Sequence, residues 1–186
     1  YQGSPTSVTS FFALAPKIAG LGAIIRILYI CFENIYLEWK AVIIFISIAS
    51  MLLGAFAAIG QTNLKRLMAY SSISHIGYVL ASLTTNTKDG VISAISYLNI
   101  YIIMMISSFA CILLFRRKNI YFENINDLSG LSKNHPVVAF CFAATLFSLA
   151  GIPPLAGFFA KFYVFKSVIE ANMIYLAIIG LIASVI

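Results

Sequence analysis

An apolar run of 33 residues, from Pro136 to Val168, limits what this chain can fold into. The run is interrupted once, by the segment Gly151-Ile152-Pro153-Pro154-Leu155-Ala156-Gly157. A bilayer core about 30 Å thick needs roughly 20 helical residues, so the run is too long for one straight span. The two prolines lack backbone donors, and each ring clashes with the preceding helical turn. We therefore predict one membrane crossing that consists of two half-helices joined by irregular backbone.

A lysine, Lys161, follows this break after four residues. Irregular backbone is tolerated at membrane depth only where protein buries it or where it meets a water-filled cavity. A cation beside such a break favours an ion or proton path over an inert anchor. We therefore assign Lys161 to a candidate site. The residues of the break that we assign with it are Gly151, Pro153, Pro154 and Gly157.

The composition fits a membrane protein with several spans. Of all residues, 61% are apolar, 14% are aromatic and 10% are charged, whereas a soluble domain is about 25% charged. We predict an all-α polytopic bundle with about six spans and a polar loop from Glu33 to Lys40. The predicted spans cover residues 8–32, 41–60, 67–83, 91–115, the broken run 136–168 and a last segment that reaches residue 186.

The net charge of +6 would suggest a nucleic-acid partner in a soluble protein. Here the basic residues cluster in the loops after the second and fourth spans, so we predict a lipid bilayer as partner and no nucleic acid. The positive-inside rule places these loops in the cytoplasm or the mitochondrial matrix, and the broken span then runs outward. The loop cations are Lys65, Arg66, Arg116, Arg117 and Lys118.

A second lysine, Lys17, lies about nine residues into the first span, which is ~14 Å along a helix and close to mid-membrane. A lysine at that depth costs roughly 2.5–3.5 kcal/mol on insertion scales, so it needs a reason to be there. A buried lysine changes protonation state when a neighbouring charge comes or goes. We predict a proton relay that contains Lys17 and Lys161. The alternatives are a structural ion pair for Lys17 and a side chain that reaches the surface for Lys161.

His75 and Arg26 are candidate accessory residues. Histidine titrates nearest to neutral pH, so His75 suits a relay, with simple packing as the alternative. Arginine does not deprotonate, so Arg26 can only tune or anchor a path. No acid lies mid-span, which leaves the relay without an acidic partner. Since the chain also begins at Tyr1 without a methionine, we expect an internal fragment of a longer protein.

Cofactor and metal signals are missing from the sequence. Cys31, Cys111 and Cys141 are far apart and form no CxxC pair, zinc spacing or iron–sulfur pattern. The sequence contains no GxGxxG motif and no P-loop. We predict that this chain binds no cofactor and no metal.

A face of small residues marks the second span. Ser50, Gly54 and Ala58 repeat every four residues, which is the small-xxx-small pattern of closely packed membrane helices. We predict that this face packs against a neighbouring helix.

Three stretches carry a family resemblance: YQGSPTSVTSFFALAPKIAG, QTNLKRLMAYSSISHIGY and SLAGIPPLAGFFAKFYVF. Together they resemble the antiporter-like membrane subunits of respiratory complex I, the proton-translocating NADH:quinone oxidoreductase. The second stretch is more similar to subunit N than to its sister subunits. The wider group includes the Mrp-type cation/proton antiporters.

The resemblance implies a fold of fourteen helices, ten of them in two inverted five-helix repeats. Residues 1–186 would then be part of one proton-translocating transmembrane domain, comprising the last helix of the first repeat and most of the second. It also implies that Lys17 and Lys161 carry protons, and that the acidic partner lies on helices before Tyr1. A location in the bacterial or mitochondrial inner membrane is implied, with other membrane subunits of complex I as partners. NADH, FMN, iron–sulfur clusters and quinone would be bound by partner subunits.

Two other functions stay open at this point. A subunit of an Mrp-type cation/proton antiporter would share the same motifs. A scaffold that only packs against sister subunits would need no proton transfer by Lys17 or Lys161.

Overall fold

The computed structural model describes residues 3–117, 120–121 and 124–186, so Lys118 and Glu123 lie outside the described residues. Helices form nearly all of the regular structure in these ranges. The longer helices are α1 (Thr6–Arg26), α2 (Tyr36–Ile59), α3 (Leu64–Leu83), α4 (Lys88–Leu114), α6 (Pro136–Ala150), α7 (Ala156–Glu170) and α8 (Ile174–Val185).

Short elements fill the connections. They are a π-helical turn (Ile27–Cys31), 3-10 turns (Glu33–Ile35 and Ile125–Leu128), the helix α5 (Leu131–Asn134) and two paired strands, β1 (Arg116–Arg117) and β2 (Ile120–Tyr121). The antiparallel strand pair is a small departure from the predicted all-α fold.

Three helical segments are long and apolar enough to cross a membrane among the described residues: Thr6–Cys31, Glu33–Ile59 and Lys88–Leu114. The predicted polar loop from Glu33 to Lys40 is too long, since α2 already begins at Tyr36. Its first turns place Trp39 against Tyr36, and the Trp39 indole donates to the Phe32 carbonyl. These aromatic contacts allow the helix to start before the apolar run does.

Helix α3 lies at the centre of the bundle. Thirteen of its 20 residues are buried, although its serines and His75 make it less apolar than its neighbours. Its start is well defined, because the Asn63 side chain accepts hydrogen bonds from the backbone N–H groups of Lys65 and Arg66. This is the usual stabilisation of a helix N-terminus by an asparagine. A polar helix surrounded by apolar ones keeps its polar groups away from lipid.

Close packing of α2 on α3 depends on two glycines. A methyl group at Gly54 would come within 2.8 Å of the Tyr70 carbonyl, and one at Gly77 within 3.0 Å of the Ser47 carbonyl. The Ser47 hydroxyl donates to the Gly77 carbonyl at 2.8 Å. The predicted small-residue face of the second span therefore does contact another helix through Gly54, and α3 supplies the matching glycine.

The apolar run 136–168 forms two helices, α6 and α7, of 15 residues each. Each is about 22 Å long, which is shorter than a bilayer core. The segment between them, Gly151–Leu155, starts with Gly151 at φ +88°. The irregular part is shorter than the predicted Gly151–Gly157, since Ala156 and Gly157 already belong to α7.

Candidate functional site

Lys161 on α7 is buried, with 8% of its surface exposed. Side chains of a helix tilt toward its N-terminus, so the long lysine side chain reaches back to the break. Its ammonium nitrogen donates to the carbonyl oxygen of Ala150, the last residue of α6, at 2.8 Å. The C-terminal end of a helix carries partial negative charge and favours a cation. Lys161 therefore does not turn toward the membrane surface, which was the alternative that its sequence position left open.

Gly151 makes this approach of Lys161 possible. It follows Ala150 with a left-handed backbone, which glycine adopts without steric cost. A methyl group on Gly151 would lie 2.9 Å from Lys161 Cδ and 3.2 Å from its ammonium nitrogen. The glycine thus leaves the space that the lysine side chain occupies.

His75 lies between α3 and α4. It is buried, and its Nδ1 lies 2.6 Å from the hydroxyl of Tyr97. The rings of Tyr78 and Tyr101 surround it at 6.2 and 5.1 Å between centroids. His75 is therefore held by tyrosines, and one of its ring nitrogens already has a hydrogen-bond partner.

Lys17 reaches the same helix from α1. Its ammonium group donates a hydrogen bond to the hydroxyl of Ser72. Ser72 lies three residues before His75, so both share one face of α3 and are separated by about 4.5 Å along its axis. His75 in turn lines one cavity with Lys161. The structure thus brings Lys17, His75 and Lys161 together around α3.

A cavity of about 330 Å³ contacts two members of this group. Its polar lining comprises Ser71, Ser74, His75, Tyr78, Lys161 and Ser184. The volume is about ten times the share of one water molecule in the liquid. The space between His75 and Lys161 is therefore large enough and polar enough to hold water.

The other residues predicted for the site lie elsewhere. Arg26 is exposed in the last turn of α1. Pro153 and Pro154 line a separate, apolar cavity of about 460 Å³. Gly157 is buried, and its N–H donates to the Ser148 hydroxyl at 3.1 Å, which joins α7 to α6. Of the predicted break residues, Gly151 is the one shown to lie against the Lys161 side chain.

Three residues that contact Lys17 or His75 are not among the residues predicted from the sequence: Ser72, Tyr97 and Tyr101. Ser72 is one of several serines on α3, and nothing in their spacing distinguishes it. Tyr97 and Tyr101 are four residues apart on α4, and this spacing indicates two aromatic rings on one helix face.

Ligand sets for a metal ion do not occur in the described ranges, where no three His, Cys, Asp or Glu side chains lie together. Lys161 also forms no ion pair with any described residue, whereas Lys166 on the same helix lies 3.8 Å from Glu170. The arrangement consists of nitrogen and oxygen groups that can each donate or accept a hydrogen bond.

The profile of a known protein family matches this chain throughout. The family is described as NADH:quinone oxidoreductase/Mrp antiporter, transmembrane, and the match covers residues 1–186. The chain belongs to this family. As a member of the NADH:quinone oxidoreductase/Mrp antiporter family with long apolar helices, it is a multi-pass membrane protein.

The chain is similar to curated bacterial proteins. The chain is 59% identical over 186 residues to NADH-quinone oxidoreductase subunit N of Pelagibacter ubique, and covers 40% of that protein. It is 56% identical to subunit N of Parvibaculum lavamentivorans, with 38% of that protein covered. The chain therefore spans about two fifths of the length of these relatives.

Two solved structures from the same family have the same fold. The Mrp complex from Dietzia sp. contains a chain with a TM-score of 0.87 and 31% identity, covering 97% of this chain and 33% of that one. Respiratory complex I from Thermus thermophilus with bound aureothin contains one with a TM-score of 0.82 and 30% identity, covering 99% of this chain and 40% of that one.

Proposed function

We propose that this chain is part of a proton-translocating membrane subunit of NADH:quinone oxidoreductase, in which Lys17, His75 and Lys161 form a relay. Two observations support the proposal: Lys17 is hydrogen-bonded to Ser72, one turn before His75 on α3, and His75 lines one cavity with Lys161. The relay rests on geometry, and the identity of the complex rests on the relatives named NADH-quinone oxidoreductase subunit N.

In this relay, a proton moves between Lys17 and His75 along the face of α3. Ser72 is hydrogen-bonded to Lys17, and its hydroxyl can accept and donate in turn. Between His75 and Lys161, water in the 330 Å³ cavity carries the proton. Since like charges repel, a proton that arrives at His75 favours release from Lys161.

The break between α6 and α7 has a defined part in this proposal. We infer that α6, Gly151–Leu155 and α7 form one discontinuous membrane crossing, and that the chain contributes six spans. The carbonyl end of α6 then provides charge stabilisation for protonated Lys161 within the membrane. The same proposal includes the two inverted repeats, the orientation that follows from loop charge, and quinone reduction by partner subunits.

The test is Lys161→Met in the full-length subunit of the assembled complex. We expect NADH-driven proton pumping into inverted membrane vesicles to fall strongly at equal amounts of complex. Lys166→Met is the matched control, because this lysine lies on the same helix and is half exposed. Pumping by Lys161→Met at the level of Lys166→Met would contradict the proposal and favour a scaffold.

A cation/proton antiporter subunit is the second candidate, since the Mrp complex from Dietzia sp. has the same fold. The two candidates differ in what the whole protein assembles with. Co-purification with flavin and iron–sulfur subunits supports the first candidate, and sodium-dependent proton exchange without NADH supports the second. The identities of 50–59% to subunit N relatives favour the first.

A further inference from the structure

The ammonium group of Lys161 has a second neighbour besides the Ala150 carbonyl. Its nitrogen lies 5.3 Å from the centre of the Tyr78 ring, within cation–π distance. We propose that Tyr78 is a positioning residue of the relay, and that the face of its ring, not its hydroxyl, holds charged Lys161 at the break. This inference rests on the proposed function, and it assigns a role to a residue that has no acid–base part in it.

The Tyr78 ring is fixed from several sides. Its hydroxyl donates to the Gly180 carbonyl on α8 at 3.3 Å. The Phe165 ring packs edge-on against it at 5.9 Å, and the Tyr97 ring lies at 6.1 Å. Only 2% of Tyr78 is exposed. A ring held this way presents one constant face to Lys161.

The Tyr78 ring is important because the positive charge of Lys161 needs a compensating negative group. An ammonium group has three donors, and the Ala150 carbonyl takes one of them. The described residues supply no carboxylate to Lys161, so the negative face of the Tyr78 ring is a main source of compensating charge. Cation–π attraction is strongest where the cation is desolvated, as it is at this buried position.

The ring also distinguishes the two protonation states of Lys161. A neutral amine has no net charge for the ring quadrupole to attract, so loss of the proton loosens the contact. Tyr78 borders the cavity that His75 and Lys161 share. After Lys161 loses its proton, its neutral amine can therefore turn into the cavity and accept the next proton through water.

Ring fluorination tests this role, because fluorine weakens the cation–π face and leaves shape nearly unchanged. Position 78 of the full-length subunit would carry phenylalanine with no, one, two or three ring fluorines. We expect Tyr78→Phe to pump within about twofold of the wild type, and pumping to fall stepwise with each fluorine, to about a tenth or less. The same fluorinated series at Phe142, a buried ring that packs against Phe115 and has no described cation over it, should leave pumping unchanged.

A second measurement separates positioning from packing. In the Lys161→Met background, fluorination at position 78 should have no further effect, because the cation is gone. Equal pumping by all fluorinated variants, with pumping lost in Lys161→Met, would overturn the role of Tyr78 and leave the proposed function standing. Normal pumping by Lys161→Met would instead overturn the proposed function itself.

Discussion

The ammonium nitrogen of Lys161 lies 2.8 Å from the carbonyl oxygen of Ala150, which ends the helix before the break. This contact explains why a lysine and a helix break occur together in the sequence. The break exposes a carbonyl that a continuous helix would have used internally. The lysine in turn satisfies that carbonyl inside the protein.

Gly151→Ala tests how closely this contact is fitted. The new methyl group would push against Lys161 Cδ and force a left-handed backbone on alanine, which costs about 1–2 kcal/mol. We expect proton pumping to fall several-fold. Gly130→Ala is the matched control, because Gly130 has a similar φ of +78° with nothing within 4 Å of the added group. An equal effect of both substitutions on pumping would show that backbone strain alone is responsible.

The positions of most helices could be predicted from the sequence. Long apolar runs separated by short polar segments indicate spans, because lipid requires apolar side chains over a length set by the bilayer. The start of α2 was predicted five residues too late, since aromatic packing by Trp39 extends that helix beyond its apolar core. Such contacts come from tertiary structure and leave no periodic pattern.

The candidate site could be predicted only in part. Lys17, Lys161 and His75 are conspicuous because ionisable residues are rare in apolar spans. The partner of Lys17 is Ser72, 55 residues away along the chain, and only the packing of α1 on α3 brings them together. Likewise, the sequence indicated a break after Ala150, but not that Lys161 would turn back to it.

Ser72→Ala removes the hydrogen-bond partner of Lys17. A hydrogen bond to a charged group contributes about 1.5–3 kcal/mol, so we expect a clear fall in pumping rate at unchanged assembly. Ser82→Ala is the control, since this buried serine on the same helix donates to the Val79 carbonyl within its own helix. Pumping rates in vesicles provide the comparison. If Ser72→Ala and Ser82→Ala pump equally, Ser72 has no part in the relay.

Gly77→Val tests the packing that holds α3 in place. The larger side chain would collide with Met51 and the Ser47 carbonyl, and overpacking of this kind costs about 1–3 kcal/mol or more. We expect less assembled complex and a lower thermal unfolding temperature of the purified complex. Gly60→Val, at a position with open space around it, should change neither quantity. Unchanged thermal stability of Gly77→Val would show that α2 and α3 are not as closely packed as described.

The central claim is that His75 connects Lys17 with Lys161. The most direct test is the initial rate of NADH-driven proton pumping in vesicles that contain the full-length subunit with His75→Leu, at matched amounts of assembled complex. Leucine keeps an apolar side chain at the position but cannot bind a proton. The account predicts that pumping falls to the level of Lys161→Met. Pumping at the wild-type rate would contradict it.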